Sequence, residues 1–351
     1  MDKKKKNVIL ALAAAAGGLS ATVIASQVAI YDKVFPRYER ADYSITPGVR
    51  CLDRFKTHAN IEAISFYSDD VLLKGNYFSI ENPKGIVLVA HGIHAGGDDY
   101  LNVIGYFLDN GYNVFSFNYK GTYESEGDST VGLCESLVDV DHAIKHIQQN
   151  EKYNKLPLFL FGHSWGGYAV TSALEINNNI KACASVSGMN SGYTMIVEKA
   201  QQYVGQLSKT SKPFFDIYQK FLFKDYVKYK GDKGINNSNI PVVIAHGADD
   251  SLIVYNKQAI IAHKDKITNP NVKYYVGKGY QGDHSDILLS NDAIIYKKEI
   301  KSELRLLEMQ KGKKLSYEEL QNFYKTVDHL KYSEVNKDLM DLIIKTFDEA
   351  L

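Results

Sequence analysis

The window Leu160-Phe161-Gly162-His163-Ser164-Trp165-Gly166-Gly167 compresses an apolar strand, a G-x-S-x-G pentapeptide and the start of a helix into a few residues. A strand that turns straight into a helix through a serine fixes much of the surrounding fold. The serine is lifted above a sheet edge, and the tightness of the turn calls for glycine at 162 and 166, two residues either side of Ser164. A serine hydroxyl is a weak nucleophile until a base takes its proton, so the window has meaning only if partners stand elsewhere in the chain.

A serine nucleophile needs an imidazole and a carboxylate that holds the imidazole in the right tautomer. Around an elbow of this kind the acid and then the histidine follow the serine in chain order. Ile240 to Ala245 is a buried apolar strand leading into His246-Gly247-Ala248-Asp249-Asp250, which sets two candidate acids, Asp249 and Asp250, at a strand's carboxyl end. Open α/β sheets build their sites there. The next strand, Val272 to Val276, enters a glycine-rich loop that ends in Gly282-Asp283-His284-Ser285, making His284 the candidate general base. The oxyanion formed by attack needs preorganised N–H donors. Trp165, just after the serine, supplies one through its backbone; the loop after Gly85 to Gly92 supplies the other, with Ile93 as first candidate and His94 as second.

Four blocks carry a family resemblance. They are His91-Gly92-Ile93-His94-Ala95-Gly96, then Phe117-Asn118-Tyr119-Lys120-Gly121-Thr122-Tyr123-Glu124-Ser125-Glu126-Gly127, then the Ser164 elbow, then His246 to Asp250 with Gly282 to His284. Together they resemble the α/β-hydrolase superfamily, near its serine aminopeptidase, monoacylglycerol lipase and dienelactone hydrolase-like branch. The resemblance runs from about Ile61 to Leu289 and implies an ester or amide hydrolase working through an acyl-enzyme, without metal or cofactor. It also puts the acid three residues after the glycine of His-Gly, at Asp250. The second block departs from the family's D-Y-R-G-x-G-x-S-x-G loop with Asn118 for Asp, Lys120 for Arg and Tyr123 for Gly, which affects a loop beside the site rather than the triad.

With 351 residues and 41 basic against 41 acidic side chains, the chain can bury a large core and carries no charge excess suited to nucleic acid. Charge is uneven only at the amino terminus. There Lys3 to Lys6 precede Val8 to Ile30, a run with no ionised side chain. About 23 residues of helix span roughly 34 Å, enough for a hydrocarbon core of about 30 Å. Residues 1–31 are therefore expected to be a membrane anchor, with the amino terminus cytoplasmic and the catalytic domain outside; a cleaved signal peptide is the alternative. Residues 32–60 read as a linker. Cys51, Cys134 and Cys183 have no metal-like spacing.

From residue 61 onward, strands expected at Glu62 to Tyr67, Val71 to Phe78, Gly85 to Ala90, Asn113 to Phe117, Leu158 to Phe161, Ile180 to Ser187, Pro241 to Ala245 and Val272 to Val276 alternate with helical patterns. This predicts an α/β fold: a mainly parallel sheet with helices on both faces. Residues 188–239, helical and aromatic, fall where the resembled family places a cap, and 292–351 read as a helical carboxyl-terminal extension. His91-x-x-His94 with Asp98 and Asp99, and His142 with His146, have metal-like spacing. A His-Gly turn and a solvated helix face explain them better. The expected substrate is a small ester or amide with an apolar acyl group. An aminopeptidase-like peptidase and an acyltransferase share the same triad, and a non-catalytic binding protein on this fold is the reading from a different class.

Overall fold

A computed structural model describes residues 31–204 and 207–351. Eight strands form one sheet: β1 (Asn60–Ser68), β2 (Val71–Ser79), β3 (Gly85–Ala90), β4 (Tyr112–Phe117), β5 (Leu158–His163), β6 (Ile180–Val186), β7 (Val242–Gly247) and β8 (Val272–Gly277). Their spatial order is β1-β2-β4-β3-β5-β6-β7-β8. The β1–β2 and β2–β4 pairs are antiparallel, and every pair from β4 to β8 is parallel. Since a right-handed crossover carries each parallel connection over a face of the sheet, both faces become covered.

The apolar runs of β3, β4, β5 and β7 are buried on both sides, as parallel strands between helical layers must be, while the edge strand β8 is only half-buried. Ile86, Leu88, Leu158, Leu160, Val242 and Ile244 face one core, while Val87, Val89, Phe159, Phe161, Val243 and Ala245 face the other. The first core is closed by α2 (Glu135–Gln149), α3 (Trp165–Ala173) and α6 (Gly231–Ser238). The second is closed by α1 (Leu101–Asp109) and the last helix, α10 (Lys337–Asp348). Thus the end of the chain is a core element: Phe347 stacks on Phe159 and Phe107, with ring centroids 4.9 and 5.9 Å apart.

Between β6 and β7 lie α4 (Gly192–Val204), α5 (Leu207–Phe223) and α6. Of the aromatics in this stretch, Tyr218 and Phe223 are buried, and Tyr218 packs edge-on against Tyr31. After β8 come α7 (Asn291–Lys311), α8 (Tyr317–Lys325), α9 (His329–Tyr332) and α10.

The stretch expected as a linker, 32–60, lies along the domain. Phe35 is buried beside Tyr31, Tyr38 exchanges backbone hydrogen bonds of 2.9 Å with Gly121 and Tyr123, and Arg40 pairs with Glu124 and Asp98. The expected anchor, apart from Tyr31, lies outside the described residues. Among the described residues no helix is long and apolar enough to cross a membrane.

Candidate active site

β5 ends at His163, and the chain reverses at Ser164 with φ 56° and ψ −113° before α3 begins at Trp165. An L-residue in such a conformation costs about 1 to 3 kcal/mol, which the surrounding contacts must offset. Close approach explains the flanking glycines. A Cβ at 162 would sit 2.3 Å from the Gly166 carbonyl oxygen, and one at 166 would sit 2.0 Å from that of Ala90. The elbow is further held by Ser164 N–H donating to Val186 O at 2.8 Å.

The loops after β5, β7 and β8 converge on the serine. His284 Nε2 lies 2.8 Å from Ser164 Oγ, and His284 Nδ1 lies 2.7 Å from Asp250 Oδ2. Of the two candidate acids, Asp250 is the one at the imidazole; Asp249 is exposed and sits against Gly282. Asp250 Oδ1 accepts the N–H groups of Leu252 and Ile253, each at 2.9 Å. Burial alone would raise the Asp250 pKa, but hydrogen bonds from His246 and His284 and the Ile253 amide outweigh it and hold the carboxyl well below the usual range.

Three neighbours support His284 from behind, and sequence reasoning did not single them out. Ser187 Oγ–H donates to the His284 carbonyl at 2.8 Å, and His163 Nε2 reaches the same oxygen at 3.1 Å. Tyr100 Oη accepts from Gly92 N–H at 2.9 Å and lies 2.7 Å from His163 Nδ1. Since a carbonyl can only accept, His163 carries its proton on Nε2 and Tyr100 donates to Nδ1. Burial, with His284 nearby, pushes the His163 pKa down to about 3, so its ring stays neutral. The only signal for this in the chain was the histidine at the second position of G-x-S-x-G.

Trp165 opens α3, so its N–H belongs to the first turn, where backbone donors lack intrahelical acceptors and the helix dipole favours negative charge. Ile93 lines the same cavity as Ser164, Trp165 and His284, as does His94. This cavity of about 530 Å³ has an apolar wall that includes Leu133, Met189, Met195, Leu252 and Leu288, together with Arg50, Lys199 and Lys297. A hollow of about 630 Å³ between Asp32 to Arg37 and Phe221 to Tyr226 shares no lining residue with it.

The motif residues other than Ser164, Asp250 and His284 are engaged structurally. His91 Nδ1–H donates to Gly92 O at 2.8 Å, and its Nε2 accepts from Tyr119 N–H at 3.1 Å; burial lowers its pKa to about 4. His146 stacks on Phe66, whereas the His142 ring reaches Val138 O at 2.9 Å. Asn118, in place of the family's aspartate, accepts from Gly97 N–H at 2.8 Å. Tyr123 stands where the family has glycine and keeps a left-handed φ of 51°. Its hydroxyl donates to Asp99 at 2.6 Å, and the Arg40 guanidinium sits 4.7 Å above its ring.

A family model described as serine aminopeptidase, S33, matches residues 81–230. That match, the lipase relatives and the fold support an α/β-hydrolase superfamily serine hydrolase. Among proteins similar to this α/β-hydrolase, lysophosphatidylserine lipase ABHD12 of Danio rerio is 24% identical over 181 residues, covering 50% of this chain and 46% of the lipase. An uncharacterised protein of Salmonella typhi, YfhR, is 26% identical over 256 residues, covering 69% of this chain and 80% of its own. The chain thus spans less than half the length of the lipases it matches. An esterase of Pyrococcus furiosus, Pf2001, shares the fold at a TM-score of 0.51 and 17% identity, covering 72% of this chain and 93% of the esterase.

Proposed function

We propose that this α/β-hydrolase is a membrane-anchored esterase that cleaves carboxylic esters of apolar acyl groups through an acyl-enzyme on Ser164. The reading is carried by one observation: a serine, an imidazole and a carboxylate joined by hydrogen bonds of 2.8 and 2.7 Å beside a largely apolar cavity. Ser164 Oγ attacks the ester carbonyl carbon and His284 Nε2 takes its proton, while Asp250 keeps Nδ1–H directed and balances the imidazolium. The backbone N–H groups of Ile93 and Trp165 receive the tetrahedral oxyanion, a contribution of about 3 kcal/mol per donor in comparable sites. His284 then protonates the departing alkoxide. Water, deprotonated by the same imidazole, releases the acid and restores Ser164.

The matching family description favours a second reading, an aminopeptidase. A free α-amino group needs a carboxylate near the scissile bond. Among the described residues Asp99 is the one carboxylate lining the cavity, beside Arg50, Lys199 and Lys297, which favours esters. Anchoring is supported by Lys3 to Lys6 followed by the uncharged Val8 to Ile30.

Both parts are tested by assaying membrane and soluble fractions of cells expressing the full chain, with p-nitrophenyl octanoate and alanine p-nitroanilide as substrates. The expected result is octanoate cleavage, at least about a hundredfold above anilide cleavage, in the membrane fraction. Anilide preference would establish the peptidase reading, and activity confined to the soluble fraction would remove the anchor.

A further inference from the structure

We propose that His246 is a positioning residue for the acid of the triad: a second imidazole that donates Nε2–H to the Asp250 oxygen already serving His284, and so tempers the base. The proposal rests on the assignment of Ser164, His284 and Asp250 as the triad.

His246 is fully buried in β7, four residues before Asp250. Its Nε2 lies 3.0 Å from Asp250 Oδ2 and 2.8 Å from Ile253 O. Ile253 also gives its own N–H to Asp250 Oδ1 at 2.9 Å, so one residue's backbone links the imidazole to the carboxylate. His246 Nδ1 is buried without a hydrogen-bond partner. A proton on Nδ1 would therefore be an orphaned buried donor, and it would leave a lone pair on Nε2 facing two oxygens. The tautomer is Nε2–H, which donates to Ile253 O and lies 3.0 Å from Asp250 Oδ2.

Asp250 Oδ2 thus has one imidazole nitrogen at 2.7 Å and a second at 3.0 Å. An N–H directed at that oxygen withdraws charge from the group that balances an imidazolium at His284 and fixes the carboxylate's direction. Other groups around this pair differ from His246 in placement. His163 and Asp283 bond the His284 main chain, Asp249 packs on Gly282, and Tyr255 lies edge-on to His246 at 6.0 Å. On the cavity side Arg50 faces Asp99 at 3.7 Å, Lys297 pairs with Asp286 at 2.7 Å, and His94, Tyr100, Lys199 and Tyr332 also line the cavity. Within this group the carboxylate oxygen at His284 Nδ1 takes its second N–H from His246.

The test compares the wild type, His246→Gln and His246→Leu in kcat/KM against pH with p-nitrophenyl octanoate. Glutamine keeps an N–H on a side chain of similar reach; leucine fills the volume without one. With leucine, kcat is expected to fall and the acidic limb to move up by about half to one pH unit, because the carboxylate left with one imidazole stabilises the protonated base more. Glutamine should return the limb to its wild-type position. Coincident limbs in all three proteins, or equal displacement by glutamine and leucine, would overturn the proposal, since a purely structural role changes rate without changing the limb. Should the leucine variant fail to fold, 15N-histidine NMR of the wild type decides: a proton on His246 Nε2 and none on Nδ1 is expected, and a proton on Nδ1 overturns it. A wild type inert to esters and to fluorophosphonates would defeat the triad assignment instead, and a proton on His246 Nδ1 would still overturn the bond to Asp250.

Discussion

His163 shows how a residue between strand and nucleophile can be fixed by what surrounds it. With Tyr100 on one nitrogen and the His284 carbonyl on the other, the ring is useful only when neutral, and burial holds its pKa down to about 3. His91 is held down to about 4 for the same reason. A depressed histidine pKa means that below about 6.5 the unfolded chain binds protons that the folded chain refuses, so stability is fully present above that pH and is lost as pH falls toward the folded values. Asp139 opposes this, because burial raises its pKa to about 6 and the folded state gains protons there. Between pH 7 and 5 the two histidines therefore cost stability and Asp139 returns part of it, so stability is expected to fall. Urea unfolding at the two pH values measures it; equal or greater stability at pH 5 would contradict this environment for the histidines. Residue type and order pointed to Ser164 and His284, which the fold brings to 2.8 Å of each other. Asp250 was separated from Asp249 only by resemblance, because which of two adjacent carboxylates meets an imidazole depends on the turn between β7 and the following loop. His246 and Ser187 were not legible as supports, since their roles arise from contacts between loops far apart in sequence.

At the scale of elements, the elbow depends on β3, β5 and α3 meeting almost backbone to backbone. Gly166→Ala would place a Cβ 2.0 Å from the Ala90 carbonyl oxygen, in backbone that cannot swing aside as a flexible side chain would. The expected effect is a loss of about 3 kcal/mol of stability or more, read by thermal and urea unfolding, with loss of ester cleavage. A variant as stable and active as the wild type would contradict the close approach. The parallel strands were legible because continuous apolar runs between turn residues have little alternative in a chain this long. The loop at Tyr123 was less so: its left-handed conformation is held by Asp99 and Arg40, and a tyrosine where the family has glycine gives no local signal for it.

Over the whole molecule, the chain's end closes what its middle builds. Leu339, Met340, Ile343 and Phe347 are buried against the sheet face opposite α3, although 292–351 reads by composition as a charged extension. The stripe at helical spacing in Leu339 to Phe347 was present in the sequence, diluted by the charged helices before it. Each of the four side chains contributes about 2 kcal/mol by leaving water, roughly 8 kcal/mol together, comparable to the total stability of an ordinary domain. Deleting residues 337–351 should therefore abolish cooperative unfolding and ester cleavage; a folded, active truncation would show that α10 only decorates the surface.

The central claim is that Ser164 is activated by His284 and Asp250, and the most direct measurement is covalent labelling with a fluorophosphonate, with the adduct mapped by mass spectrometry. Wild type and Ser164→Ala would be compared after circular dichroism has shown both to be folded. The expected result is one phosphonylated residue, Ser164, in the wild type and none in the variant. A folded wild type that stays unlabelled, or a variant labelled as fully as the wild type, would contradict it.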